Sequence, residues 1–228
     1  MTDDIARYGR ILVLAPHPDD EVLGAGGFIA RAARAGCEVS VAVVTSGRPP
    51  RYDAAHVARV RAEAERAHAV LGVARTLWLG MPAAALGETP HADLNAAVCE
   101  ALRETRAETV LAPFLGDIHR DHQAVFDAAL VASRPHSDTH PARILAYETL
   151  SETNWNAPYL TPGFHPNVFV DIEQTLELKL DAMARFASQL KPPPHERSLE
   201  TLRALSQLRG AAVHRRAAEA FVTIRDII

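Results

Sequence analysis

The sequence predicts an α/β fold, a three-layer sandwich built on a mostly parallel sheet, and three observations carry that expectation. Short apolar runs rich in branched residues alternate with longer stretches of helical spacing. Gly36 and Gly72 stand where the first two helices should stop. The chain has 228 residues, 48% hydrophobic and 23% charged, enough to bury a core without disulfide or metal staples. That length fits one domain, taken as residues 1–228.

The elements follow in order. Arg10 to Ala15 reads as a buried strand, Glu21 to Ala35 as a helix and Glu38 to Thr45 as a second strand. A long helical stretch from Asp53 to Leu71 leads to a third strand, Arg75 to Leu79. A helix over Ala92 to Arg106, a fourth strand over Thr109 to Phe114 and a helix over Asp121 to Ser133 complete a Rossmann-like alternation. The remainder reads as an irregular and helical extension. It holds candidate strands at Arg143 to Tyr147 and Val168 to Ile172, and an ordered loop over residues 154–167. A helix from Glu173 to Leu190 is expected before Pro192, and a last helix through residues 196–220.

Charge and composition narrow the function classes. The net charge is -4 and no basic stripe is present, so nucleic acid is not an expected partner. No run of 18 apolar residues exists to span a membrane. The opening residues MTDDIARYGR lack the pattern of a signal peptide, and a cytoplasmic address is the default expectation. Cys37 and Cys99 form neither a CxxC unit nor a disulfide framework and read as core filler.

The first chemical signal is Pro16-His17-Pro18-Asp19-Asp20-Glu21, directly after the first strand. Ligands of open α/β sheets bind beyond the carboxyl ends of strands. An acidic turn there repels phosphate and attracts a metal cation. Histidine nitrogen and carboxylate oxygen are good zinc ligands, and the spacing of His17 and Asp20 lets a turn aim both one way. A simpler reading is that the three acids cap the next helix. Gly24, Gly26 and Gly27 fail as a dinucleotide fingerprint, because Ile29 stands at the third glycine position.

The second signal is His119-Arg120-Asp121-His122, after the fourth strand. In a sheet of order 3-2-1-4 the first and fourth strands are neighbours, so both motifs open on one crevice. His17, Asp20 and His122 then make a three-ligand site with an open position, the layout of a catalytic zinc centre. Asp19 and His119 remain as groups suited to proton transfer. His56, His68, His91, His136, His140, His195 and His214 lie in polar stretches without an acid at useful spacing and read as solvated.

These motifs resemble the PIG-L/LmbE-like N-acetylglucosaminyl deacetylase family. So do the run Ile11 to Gly27, the segment Val43 to Gly47, and Arg61 with Glu63 ahead of Leu71-Gly72. Asp117, Lys179 with Ser188-Gln189, Arg209-Gly210 and Ala218-Glu219-Ala220-Phe221 extend the resemblance over nearly the whole chain. The resemblance implies zinc held by His17, Asp20 and His122, although ferrous iron accepts the same ligands. It implies Asp19 as general base, His119 as stabiliser of the oxyanion, and Asp121 as the partner that orients a neighbouring histidine. It also implies a homo-oligomer. One departure is Ala83, which follows Leu79-Gly80-Met81-Pro82 where the family often has an aspartate for a sugar hydroxyl.

The expected activity is removal of an N-acetyl group from an amino sugar or its conjugate, releasing acetate and a free amine. Arg51, Arg61, Trp155 and His165 are the candidate contacts to this small N-acetylated substrate. Three alternatives stand beside this reading. A related zinc amidase would cleave a larger amide, such as a thiol conjugate or an antibiotic intermediate. A metal phosphoesterase of the HD type would share the His122 and Asp121 neighbourhood, but those are all-helical. A non-catalytic metal-binding module would keep the scaffold alone.

Overall fold

A computed structural model describes residues 4–136, 140–157 and 159–228. Pro158, inside the loop expected over residues 154–167, lies outside them, as do the first three residues of the opening segment. Among the described residues, seven strands form one sheet. They are β1 (Ile11–Ala15), β2 (Val39–Ser46), β3 (Arg75–Pro82), β4 (Thr109–Pro113), β5 (Arg143–Tyr147), β6 (Val168–Asp171) and β7 (Ala218–Asp226). Their order is β3-β2-β1-β4-β5-β7-β6, so the expected reversal between β1 and β4 is present. β1 pairs in parallel with both β2 and β4, whereas β7 runs antiparallel to β5 and β6. The fold is therefore the expected mixed α/β sandwich with a mostly parallel sheet.

Six helices cover the sheet among the described residues: α1 (Asp20–Arg34), α2 (Ala54–Leu71), α3 (His91–Thr105), α4 (Arg120–Ala132), α5 (Leu176–Arg185) and α6 (Leu199–Ala211). The period of two along each strand sorts its side chains onto the two faces. Ile11, Val13 and Ala15 join a core with Phe28, Ile29, Leu71, Met183 and Leu202. Leu12 and Leu14 join a second core with Leu94, Val98, Val125 and Phe126. β1 is buried along its full length because both faces are covered.

Two expectations for the C-terminal part are corrected. The helix expected over residues 173–190 is confined to α5. The helix expected through residues 196–220 ends with α6, and β7 begins at Ala218. The Ala- and Glu-rich composition favours a helix locally. Pairing with a strand on each side satisfies its backbone instead, and Ala218, Glu219, Ala220 and Phe221 are all buried. Glu219 is held there by Lys179, whose Nζ lies 2.6 Å from its Oε1. Cys99 is exposed rather than core filler, and Cys37 is half-buried.

The α1 glycines serve packing, not nucleotide binding. A Cβ on Gly24 would overlap the ring of Tyr147, and one on Gly27 would meet Ile172 at 2.8 Å. Close passage of α1 over β5 requires the bare backbone. Tyr147 cannot swing away freely, because it is buried and its Oη donates to the Leu14 carbonyl at 2.7 Å. Gly24→Val is expected to lower stability by about 1–3 kcal/mol, the range for overpacking. Urea denaturation checks this, and an unchanged midpoint would mean that α1 can lift off the sheet without cost.

Candidate active site

β1 ends in the Pro16-His17-Pro18 turn, and α1 starts at Asp20. β4 ends at Pro113, and α4 starts at Arg120. Adjacent parallel strands thus deliver both motifs to one end of the sheet. Asp19 occupies the position ahead of α1, but its side chain makes no capping hydrogen bond. Its φ is 112°, a left-handed conformation uncommon outside glycine. The simple capping reading therefore fails for Asp19.

Three ligand atoms converge. Asp20 Oδ2 lies 3.3 Å from His17 Nδ1 and 3.2 Å from His122 Nε2. Ligands about 2.0–2.1 Å from a tetrahedral ion sit roughly 3.3 Å apart, so these separations suit zinc. His122 Nε2 is buried without a hydrogen-bond partner among the described residues. A buried orphan nitrogen is costly unless something fills its lone pair or takes its proton. The second nitrogen of each histidine rests on a carboxylate. His122 Nδ1 is 2.8 Å from Asp117 Oδ2, and His17 Nε2 is 3.1 Å from Asp121 Oδ2. Carboxylate support of this kind orients metal-binding imidazoles.

The supports are themselves held. Asp117 Oδ1 accepts from the Thr153 hydroxyl at 2.6 Å. Asp121 accepts from the Ala84 and Leu86 amides at 2.6 and 3.1 Å. A second group, His17, His119 and Asp121, also lies within 4.8 Å mutually. Asp121 there is already held by those amides and His17, and His119 Nδ1 by the Asp121 amide at 3.1 Å, which leaves only His119 Nε2 open. The geometry therefore favours His17, Asp20 and His122 as the cation site.

The charge balance agrees. Burial disfavours charge on His17 and His122, yet hydrogen bonds to Asp121 and Asp20 push His17 up to about 9. For His122, Asp20 and Asp117 overcome burial and push it up to about 10. Both shifts express one fact: the carboxylates demand a positive charge at this point. Asp20 stays well below its ordinary value despite burial, chiefly through His122. Burial pushes Asp19 up to about 8 against the pull of Arg197, with Asp20 and Glu21 adding to the rise. Burial and the charge of His17 bring His119 down to about 4. Because its Nδ1 accepts from the Asp121 amide, the proton of a neutral His119 sits on Nε2.

A cavity of about 390 Å³ opens beside these groups, lined by His17, Asp19 and His119. Tyr52, Val57, Val60, Arg61 and Trp78 are also in its wall. Arg61 lies over the Trp78 ring at 4.6 Å. Of the candidate substrate contacts, Arg61 is in the wall, whereas Arg51, Trp155 and His165 stand outside it. Trp155 is turned to Glu196, its Nε1 donating at 2.7 Å. Ala83 lines the cavity with no polar side chain to offer.

One residue read as solvated is not: His68 is buried against Glu21. His56 is half-buried and lines the cavity. Arg197 and Glu152 were not singled out from sequence and also line it, as does Gln189, named there as a point of family resemblance without a role. Arg197 donates to Asp19 Oδ2 at 3.2 Å and to Glu152 Oε1 at 3.3 Å. Only the proline-rich segment before α6 could have drawn attention to Arg197, and it carries no chemical motif.

Comparisons with known proteins show the family. The family model described as PIG-L: GlcNAc-PI de-N-acetylase matches residues 12–133, more than half of the chain. The chain belongs to the PIG-L family, a family of deacetylases. It is 29% identical over 187 residues to the uncharacterized deacetylase YaiS of Escherichia coli (strain K12), covering 78% of this chain and 90% of that protein. It is 33% identical over 150 residues to 2'-N-acetylparomamine deacetylase of Streptomyces fradiae. That match covers 57% of this chain and 54% of the relative, so it spans about half of the longer protein. The crystal structure of the conserved protein TT1542 from Thermus thermophilus superimposes with a TM-score of 0.78 at 26% identity, over 96% of each chain.

Asp117→Ala is expected to weaken divalent-metal binding about 10- to 100-fold, as loss of an outer carboxylate partner does elsewhere. A competition titration with a chelating dye measures this, and an unchanged affinity would separate Asp117 from the metal site.

Proposed function

We propose that this protein is a zinc-dependent hydrolase that removes the acetyl group from the nitrogen of an amino sugar or amino-sugar conjugate. The convergence of His17 Nδ1, Asp20 Oδ2 and His122 Nε2, with Asp19 and His119 lining the same cavity, carries this reading. The 2'-N-acetylparomamine deacetylase relative supports the amino-sugar class. Held by His17, Asp20 and His122, zinc supplies a Lewis acid and lowers the pKa of water toward neutrality.

The chain's own groups do the rest. Asp19 faces the cavity and takes a proton from the attacking water. Arg197 holds the Asp19 carboxylate in place at 3.2 Å. His119, protonated on Nε2, donates to the acetamide oxygen as negative charge develops. Asp121 fixes both histidines: its carboxylate holds His17, and its amide sets the His119 tautomer. Asp19 then passes its proton to the departing amine. Tyr52, Val57, Val60 and Trp78 offer an apolar wall to the ring face, and Arg61 offers a cation at its edge. With no carboxylate at Ala83, Glu152, Gln189 and Ser46 are among the polar side chains of the lining open to a substrate hydroxyl.

Asp19→Asn is expected to keep full zinc content and lose about 10²- to 10⁴-fold in kcat, the usual contribution of a general base. Amine release from a panel of N-acetylated amino sugars, read with zinc content by elemental analysis, tests this. Full turnover in the variant would remove Asp19 from the mechanism. Release only from longer N-acyl compounds would assign the site to a larger amide.

A chelator is expected to abolish amine release and zinc to restore it. Activity that survives complete metal removal would refute the metal requirement.

A further inference from the structure

Behind the cavity lies a buried polar chain that the chemistry above does not use. His68 of α2 and Glu21 of α1 are both buried. His68 Nε2 lies 3.0 Å from Glu21 Oε1, and its Nδ1 lies 2.7 Å from the Thr76 hydroxyl of β3. The other oxygen of Glu21 accepts the backbone N–H of Asp19 at 3.2 Å. Three elements are thus tied into one hydrogen-bonded line that ends on the residue placed as the base.

Asp19 needs such a tie. Its φ of 112° is strained for a residue with a Cβ, and its side chain does not cap the helix. A backbone conformation of this kind persists only where its surroundings over-determine it. The Glu21 carboxylate provides one anchor, but it is buried beside Asp19 and Asp20 and would be repelled by them without a donor of its own. His68 supplies that donor on Nε2. Thr76 engages Nδ1 and fixes the ring. None of Glu21, His68 and Thr76 lines the cavity, so none touches substrate.

We propose that His68 is a positioning residue, which through Glu21 holds the left-handed turn that aims the Asp19 carboxylate into the cavity. This rests on the assignment of Asp19 as base. It places the effect of His68 on turnover, and not on metal or substrate binding.

The test compares His68→Leu and His68→Gln in the zinc-loaded full chain. Glutamine keeps an N–H donor close to where Nε2 stands, and leucine does not. Leucine is expected to lower kcat about tenfold or more, with KM and zinc content unchanged, and glutamine to recover most of the loss. Hydrogen exchange at the Asp19 amide, followed by NMR, is expected to quicken about tenfold in the leucine variant and to stay slow in the glutamine variant. Unchanged kcat and unchanged Asp19 exchange in His68→Leu would overturn the proposal. Equal losses in both variants alongside equal falls in melting temperature would also overturn it, leaving only packing. If His68→Leu does not fold, Thr76→Val removes the partner that orients the ring and is read the same way. Its expected effect is a smaller fall in kcat with faster Asp19 exchange, and no change in either overturns the idea. If the wild type releases no amine from any N-acetylated compound, the proposed function falls, while the amide exchange still decides whether His68 holds Asp19.

Discussion

Five carboxylates, Asp19, Asp20, Glu21, Asp117 and Asp121, are buried around the imidazoles of His17 and His122, and the rest of the site depends on how that negative charge is balanced. Buried charge must be paired or neutralised. Each acid here has a defined answer. Asp20 faces both histidines, Asp117 holds His122, Asp121 holds His17 on two backbone amides, Glu21 holds His68, and Asp19 meets Arg197. The division separates a cluster that attracts a cation from one carboxylate kept apart beside it. On the proposed reading, that separation lets one turn of chain provide both a metal ligand and a base.

The sheet supplies the precision. β1 and β4 are parallel neighbours, in register from Ile11 against Thr109 to Val13 against Leu111. The turns that follow them are therefore fixed relative to each other by backbone hydrogen bonds, and no loop has to find its partner. α1 can pass close to β5 because Gly24 carries no side chain against Tyr147. Sites built on rigid elements hold their groups closely, which is what a reaction through preorganised donors requires.

The first half of the chain was legible because its signals are local. Apolar runs of strand length, glycines at helix ends and two compact motifs gave the strand order 3-2-1-4 and, through it, the convergence of His17 with His122. The second half was less legible because its structure depends on long-range pairing. β7 carries alanine and glutamate that favour a helix locally, and Lys179, the Gly27 and Phe28 amides and the flanking strands make Glu219 acceptable in a buried strand. Arg197 lies 178 positions from Asp19, and His68 lies 47 positions from Glu21, so no window of sequence shows either pair. The scattered C-terminal points of family resemblance take on physical meaning together. Glu63 accepts from the Ser188 amide at 3.2 Å, Lys179 pairs with Glu219, and Arg209 pairs with Glu148. These contacts tie the segment after α5 to α2, α5 to β7, and α6 to the turn after β5.

The central claim is that a cation belongs between His17, Asp20 and His122, with Asp19 left free to move a proton. The most direct measurement is an anomalous-difference map at the zinc edge from crystals of zinc-loaded protein. One peak within coordination distance of His17 Nδ1, Asp20 Oδ2 and His122 Nε2 is the expected result. A peak bound instead by His17, His119 and Asp121, or one that takes Asp19 as a ligand, would contradict it.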